Sequence, residues 1–274
     1  MVQQALGQRY RIDREIGKGG AARVFYAVSS EGRPVALKVL RPELMPSITA
    51  QRFLREISVL RRLDHPFIAP LLDYGEAEWF IYFVMGYVQG PTLRVWLDKH
   101  GRAPMAETLA RSCQVLDAVQ HAHERGIVHR DVKPENIVLA EGATVLLDFG
   151  IARAIQVSET ERVTHSGFTV GTSLYMSPEQ AAGSHEIDHR SDLYSLGCVL
   201  YECLAGFPPF QHPNESIVMQ MHQKGDVPDI RDERREVPKR VAKAITRALA
   251  KDPEDRFQTA AQFREALEAC VEEA

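Results

Sequence analysis

The stretch from residue 192 to residue 206 restricts the fold more than any other part of the chain. Wound as a helix it is apolar on nearly every side, with Leu193, Tyr194, Leu196, Cys198, Val199, Leu200, Tyr201, Cys203 and Leu204 leaving no polar stripe. A helix without a wet face must be surrounded by other elements, so it belongs at the centre of a large lobe. With 274 residues, 45% of them hydrophobic, the chain has the material for one. Helical periodicity predicts its neighbours. A short helix is expected over residues 92–99. A long one is expected over residues 104–125, with Leu109, Cys113, Leu116 and Val119 on one face and Gly126 as its stop. Others follow near residues 215–224 and 238–250, and Thr259 with Gln262 reads as a capping box opening a last helix.

The first third of the chain has a different pattern. Residues 10–16 and 25–28 are strand-like on either side of a run, residues 17–24, containing Gly17, Gly19 and Gly20. Strand, glycine turn, strand is a hairpin whose tip can approach phosphates through backbone N–H groups. Taken alone, the same run also fits a plain hairpin turn. A strand after the glycines, where a dinucleotide fingerprint would have a helix, argues against that fingerprint. Residues 35–40 alternate as a further strand and carry Lys38, which by itself would be a solvated edge charge. Residues 47–63 are predicted to form a helix, with Phe53, Ile57, Leu60 and Leu63 on its apolar face and Glu56 beside it. Glu56 has two sets of partners open to it: Arg52 or Arg55 at the surface, or Lys38. Residues 80–88 read as a strand running into a connector.

The chemistry is concentrated in residues 129–136, which contain His129, Arg130, Asp131, Lys133 and Asn136. Twelve residues after Asn136 come Asp148, Phe149 and Gly150. Asp131 can accept a proton from a hydroxyl. Lys133 can neutralise charge on a phosphoryl group in transfer. Asn136 and Asp148 offer the hard oxygen ligands that Mg²⁺ prefers. Proton acceptance plus electrostatic clamping is most of what phosphoryl transfer requires. Residues 150–179 then form a polar loop long enough to carry function, and they include Ser158, Thr160, Thr164, Ser166, Thr169, Thr172 and Ser173.

Taken together, the glycine run, Val35-Ala36-Leu37-Lys38, the loop around Asp131, Asp148-Phe149-Gly150 and Ser177-Pro178-Glu179-Gln180 resemble the motif set of the eukaryotic-like (Hanks-type) protein kinases. Lys133 resembles the Ser/Thr branch, and Gly171-Thr172 with Ser177-Pro178-Glu179-Gln180 is most similar to bacterial Ser/Thr kinases. The resemblance runs from about residue 10 to about residue 269. It implies an α+β, bilobal fold. Residues 10–85 would be a small lobe, an antiparallel five-stranded sheet plus one helix. Residues 86–90 would be a hinge. Residues 91–269 would be a mainly helical lobe with an activation segment over residues 148–179.

The resemblance also implies ATP and Mg²⁺ (or Mn²⁺). Ile16, Gly17 and Gly19 would line the nucleotide, Val24 and Ala36 would cover adenine, and Val138 would form the floor beneath it. Met85 takes the gatekeeper position, and the backbones of Gly86 and Val88 would face adenine. Lys38 would hold phosphates in an ion pair with Glu56. Asp131 would orient or deprotonate the substrate hydroxyl, Lys133 would steady the γ-phosphate, and Asn136 and Asp148 would hold the metal. Arg130 would receive a phosphate on the activation loop, with Thr164, Ser166 and Thr169 as candidate positions. Thr172 would bond Asp131 and Lys133, Glu179 would pair with Arg256, and Asp192 would bond the backbone of the catalytic loop. The chain departs from the family pattern at Ala22, where a third glycine is usual, and at Gly86, where glutamate is usual.

The implied activity is a protein Ser/Thr kinase regulated by autophosphorylation. Its implied partners are protein substrates and a second copy of the chain in trans, with a homodimer as one option. Its implied place is the cytoplasm, as the cytoplasmic domain of a membrane protein if the natural gene is longer. A catalytically dead, nucleotide-sensing scaffold would need a loss at Lys38, Asp131, Asn136 or Asp148, and all four are present. A small-molecule phosphotransferase is disfavoured by Ser177-Pro178-Glu179, which shapes a peptide-docking surface in the family. A net charge of −4 gives no reason to expect nucleic acid or an anionic membrane as the main partner. Cys113, Cys198, Cys203 and Cys270 lie in apolar helical patterns without a C-x-x-C pair, as reduced core thiols do. His121 and His123 read as ordinary helix residues. No charged, apolar signal region opens the chain, and no apolar run approaches the ~18 residues of a membrane span.

Overall fold

A computed structural model describes residues 2–18, 22–40, 54–55, 57–77, 80–149 and 172–271. They fall in two compact units, one ending at Val88 and the other beginning at Gln89.

The first unit is an antiparallel five-stranded sheet. Its strands are β1 (Tyr10–Lys18), β2 (Ala22–Ser29), β3 (Pro34–Leu40), β4 (Leu71–Ala77) and β5 (Phe80–Gly86), in the order β1-β2-β3-β5-β4. Alternation along β2 and β3 gives each a dry face, while β5 is buried from Phe80 to Met85. Phe25, Ala27, Val35, Leu37, Val39, Phe80, Tyr82 and Val84 form one buried cluster with Tyr10 and with Leu6 of the short helix α1 (Val2–Leu6). Polar bonds fasten this end of the unit. Tyr10 donates to Asp73 Oδ2 at 2.8 Å, and Arg9 donates to Asp73 and to Tyr82 Oη.

The helix predicted over residues 47–63 is described only in part. Leu54, Arg55, Ile57 and Ser58 are helical, but Val59–Arg62 is a 3₁₀ turn and Leu63 is extended, so the α-helix stops short of the predicted end. The Leu63 N–H bonds Leu60 O at 3.1 Å, the tightened last turn common at helix ends. His65 then takes the N–H groups of Phe67 and Ile68 and turns the chain towards β4.

The second unit is mainly helical. It contains α2 (Leu93–His100), α3 (Met105–His123), the hairpin β6 (Ile137–Ala140) and β7 (Ala143–Leu146), then α4 (Pro178–Ala181), α5 (Arg190–Ala205), α6 (Glu215–Lys224), α7 (Ile230–Glu233), α8 (Lys239–Ala248) and α9 (Ala260–Val271). In α5 every residue from Ser191 to Ala205 is buried, as its apolar surface requires. Thr92 caps α2 by accepting from Val95 N at 3.2 Å. Gly126, at φ 71°, ends the turn after α3, where Ile127 N bonds Ala122 O. α9 lies along α3, fixed by Arg264 to Asp117 at 2.7 Å and by Ala261 N to Gln120 Oε1 at 3.0 Å. The capping box predicted at α9 is only half formed. Thr259 Oγ1 accepts from Gln262 N at 3.1 Å, but Gln262 Oε1 reaches past it to Gln258 N at 3.0 Å.

Candidate active site

In the first unit, strand register decides which side chains share a face. Directly paired residues point the same way, and every second residue repeats the direction. Val24 pairs with Lys38, which pairs with Phe83; Tyr26 pairs with Ala36, which pairs with Met85; Gly17 pairs with Val24. Gly17, Val24, Ala36, Lys38 and Met85 therefore lie on the face opposite the buried cluster. Lys38 Nζ sits 5.7 Å from the centroid of the Phe83 ring. The register shifts between Glu15 and Gly17, and Ile16 there is an exposed apolar side chain.

After Met85 the chain is held by backbone bonds. Gly86 N donates to Pro70 O at 3.0 Å and Tyr87 N to Pro34 O at 3.4 Å. The Tyr87 ring meets Tyr26 edge-on at 4.8 Å, and Val88, half-buried, ends the unit. A Cβ on residue 86 would lie 3.1 Å from Pro70 Cγ, so the proline ring fills the space a side chain there would need. Gly19 and Glu56 lie outside the described residues.

The second unit carries the loop that follows α3. His129 is fully buried. Its Nε2 donates to Leu147 O at 2.7 Å and its Nδ1 accepts from Asp131 N at 3.2 Å, which together fix one tautomer. The Phe149 ring lies against it at 4.6 Å between centroids. Asp192, at the start of α5, takes the N–H of His129 at 2.8 Å and of Arg130 at 2.7 Å. His123, expected to be an ordinary helix residue, instead puts Nε2 on Asp192 Oδ2 at 2.7 Å. Burial works against charge on Asp192, yet the bonds from His123 and the loop amides hold its carboxyl below the usual carboxylate range.

These anchors bring the sequence-predicted residues of the loop together. Lys133 Nζ is 2.8 Å from Asp131 Oδ1. Asn136 Nδ2 donates to Asp131 Oδ2 at 3.0 Å and to Asp131 O at 2.8 Å. Asn136 O accepts from Leu147 N at 2.8 Å, so Asp148 follows directly on from the residue bonded to Asn136. Asp148 adopts a left-handed backbone, φ 64°. Val138 is buried on β6, bridged to Thr92.

The donor set fits a divalent metal. The Asn136 amide nitrogen is engaged by Asp131, which turns its oxygen elsewhere, and Asp148 adds a carboxylate on the neighbouring strand end. Among the described residues no group of three His, Cys, Asp or Glu side chains could hold a metal.

The segment before α4 is also tied down. Thr172–Tyr175 is a 3₁₀ turn, and the side-chain role expected of Thr172 lies outside the described atoms. Arg256 is fully buried and uses all its N–H groups. Two go to Glu179, at 2.8 and 2.9 Å, and the rest to the carbonyls of Ala250, Lys251 and Arg190. Burial favours the neutral form of Glu179, but the Arg256 bonds prevail and hold its carboxyl low.

A network of Glu202, Tyr175 and Arg94 was also not anticipated from the sequence. Glu202, nearly fully buried in α5, accepts from Tyr175 Oη at 2.5 Å and from Arg94 at 2.7 Å. An acid inside an otherwise apolar helix is the signal that could have found it. The phosphorylation candidates Thr164, Ser166 and Thr169 lie outside the described residues.

Comparison with known proteins gives a match to the protein kinase domain over residues 10–268. The chain is 39% identical over 277 residues to a probable serine/threonine-protein kinase of Streptomyces coelicolor, covering 97% of this chain and 40% of that protein. It is 43% identical over 274 residues to the serine/threonine-protein kinase PknB of Mycobacterium tuberculosis, covering 94% of this chain and 42% of PknB. With PknB of Mycobacterium leprae the identity is 40% over 267 residues, 94% of this chain and 42% of that protein. The chain thus spans about two fifths of the length of the curated relatives it matches.

Proposed function

We propose that this chain, which belongs to the protein kinase domain family, is an ATP-dependent protein serine/threonine kinase. The observation that carries the reading is the constellation around Asp131: Lys133 and Asn136 both on its carboxylate, with Asp148 beside Asn136's partner strand. In this reading Asp131 orients a serine or threonine hydroxyl and accepts its proton as the new O–P bond forms. The bond between the γ-phosphorus and the oxygen bridging to the β-phosphate breaks, and ADP leaves. Lys133 steadies the negative charge on the moving group. Bound through Asn136 and Asp148, Mg²⁺ or Mn²⁺ supplies charge neutralisation at the phosphates. On the sheet, Lys38 holds phosphates, Val24 and Ala36 cover adenine, Met85 is the gatekeeper behind it, and Gly86 and Val88 offer it their backbone groups; Val138 supplies the apolar floor.

The test is transfer from γ-labelled ATP, with Mg²⁺ or Mn²⁺, to a serine- and threonine-containing protein. Label on serine or threonine is the expected outcome; Asp131→Asn should still bind ATP but lose about 10²- to 10⁴-fold in transfer, the usual worth of a general base. Transfer that survives in the variant removes Asp131 from the role.

Regulation by autophosphorylation is a finer part of the proposal. The hydroxyl-rich residues 158–173 and Arg130 beside Asp131 support it, because a phosphate pairs well with arginine. Thr164, Ser166 and Thr169 are the candidates, with a second copy of the chain as substrate. Phosphopeptide mapping of self-labelled protein should find label within residues 158–173; label confined to other segments contradicts it. Use of ATP and four cysteines with no disulfide between them suit a cytoplasmic setting.

A further inference from the structure

Gln180 has an amide with two ends, and the structure uses both. Its Oε1 accepts from Ser177 N at 3.0 Å while its own N–H donates to Ser177 Oγ at 3.3 Å, the capping box of α4. The other end leaves the helix. Gln180 Nε2 donates to the carbonyl of Arg130 at 2.8 Å, 50 residues earlier in the chain. Arg130 has a φ of 67°, a left-handed backbone uncommon outside glycine. Such a conformation persists when its surroundings over-determine it, and here each successive peptide group is held. Asp192 takes the N–H of His129 and of Arg130. The next peptide plane, between Arg130 and Asp131, is held at its N–H by His129 Nδ1 and at its oxygen by Gln180.

We propose that Gln180 is a positioning residue for phosphoryl transfer. By fixing the plane between Arg130 and Asp131 it sets the direction in which Asp131 presents its carboxylate. It also joins the segment before α4 to the loop that does the chemistry. This rests on the reading of Asp131 as the proton acceptor. A capping box alone needs only the acceptor end, and glutamate serves a cap as well as glutamine does. The bond to Arg130 needs a donor, which only the amide supplies.

Gln180→Glu is therefore the discriminating variant. It keeps an acceptor for Ser177, loses the donor, and sets a carboxylate against a carbonyl oxygen. Gln180→Met removes both ends at similar bulk. Both are compared with the wild type and with Asp131→Asn for peptide phosphorylation, ATP affinity and thermal unfolding. Because a misplacement of about 1 Å can cost about 100-fold, kcat of Gln180→Glu is expected to fall about 10- to 100-fold while KM for ATP stays within about 2-fold. Its melting temperature should stay close to that of the wild type. Gln180→Met should lose as much kcat and melt lower, since it loses the cap too. A side chain that is merely structural would lower the melting temperature and leave kcat per folded molecule unchanged, and that result overturns the proposal. If Asp131→Asn is inactive and Gln180→Glu keeps wild-type kcat, only the assignment of Gln180 fails. If Asp131→Asn itself keeps transfer, the reading of Asp131 fails first.

Discussion

Arg256 and Glu179 are a buried ion pair in which every guanidinium N–H has an acceptor. Such a pair adds little over an apolar replacement of both partners, but breaking it leaves a charge buried alone. Arg256→Met should therefore destabilise the protein by about 3–5 kcal/mol, measured by urea unfolding at neutral pH. A loss too small to resolve would mean that Glu179 finds water. The pH dependence has a defined sign. A carboxyl held low in the folded state stabilises above its unfolded pKa and loses that contribution as pH falls through the folded one. Glu179 behaves this way, so part of the wild type's acid-induced loss should be missing in Arg256→Met. The pair was legible because both residues match a known motif. His123 was not, since its partner Asp192 lies 69 residues away and nothing in its own helix marks it. Glu202 is marked as an acid in an apolar helix, but its partner Arg94, lying 108 residues before it, is not.

At the scale of elements, sequence reading succeeded where one periodicity dominated. The buried α5, the alternating β3 and the long α3 all follow from spacing alone. It was less accurate at ends, where a few competing bonds decide. Residues 59–62 tighten into a 3₁₀ turn, and Gln262 chooses Gln258 over Thr259. Neither choice is visible in periodicity. The departure at Gly86 is another local matter that the sequence left open. In the structure Gly86 N is bonded to Pro70 O, and the position is backed by the Pro70 ring. Gly86→Ala should cost about 1 kcal/mol net, overpacking of about 1–3 kcal/mol offset by the gain from removing a glycine. Pro70→Ala should relieve it in a double-mutant cycle. Strict additivity of the two changes would show that the ring is not what residue 86 meets.

At the scale of the molecule, composition set only bounds, and the order of the motifs gave the fold class. An antiparallel five-stranded sheet followed by a mainly helical unit is what stands in the structure. Among the described residues no helix is long and apolar enough to cross a membrane. The loop residues around Asp131 were legible because their chemistry is local in sequence; of what holds them, Asp192 was expected from the resemblance, whereas Gln180, on an element folded back onto the loop, was not. The most direct measurement follows the γ-phosphate itself. The wild type and Asp131→Asn are incubated with ATP, Mg²⁺ and a serine- or threonine-containing protein, and phosphorus NMR is recorded. The expected result is ADP and a phosphoester on the protein in equal amounts with the wild type, and intact ATP with the variant. ATP left intact by the wild type, or inorganic phosphate with no phosphoester, would contradict the assignment of this chain as a protein kinase.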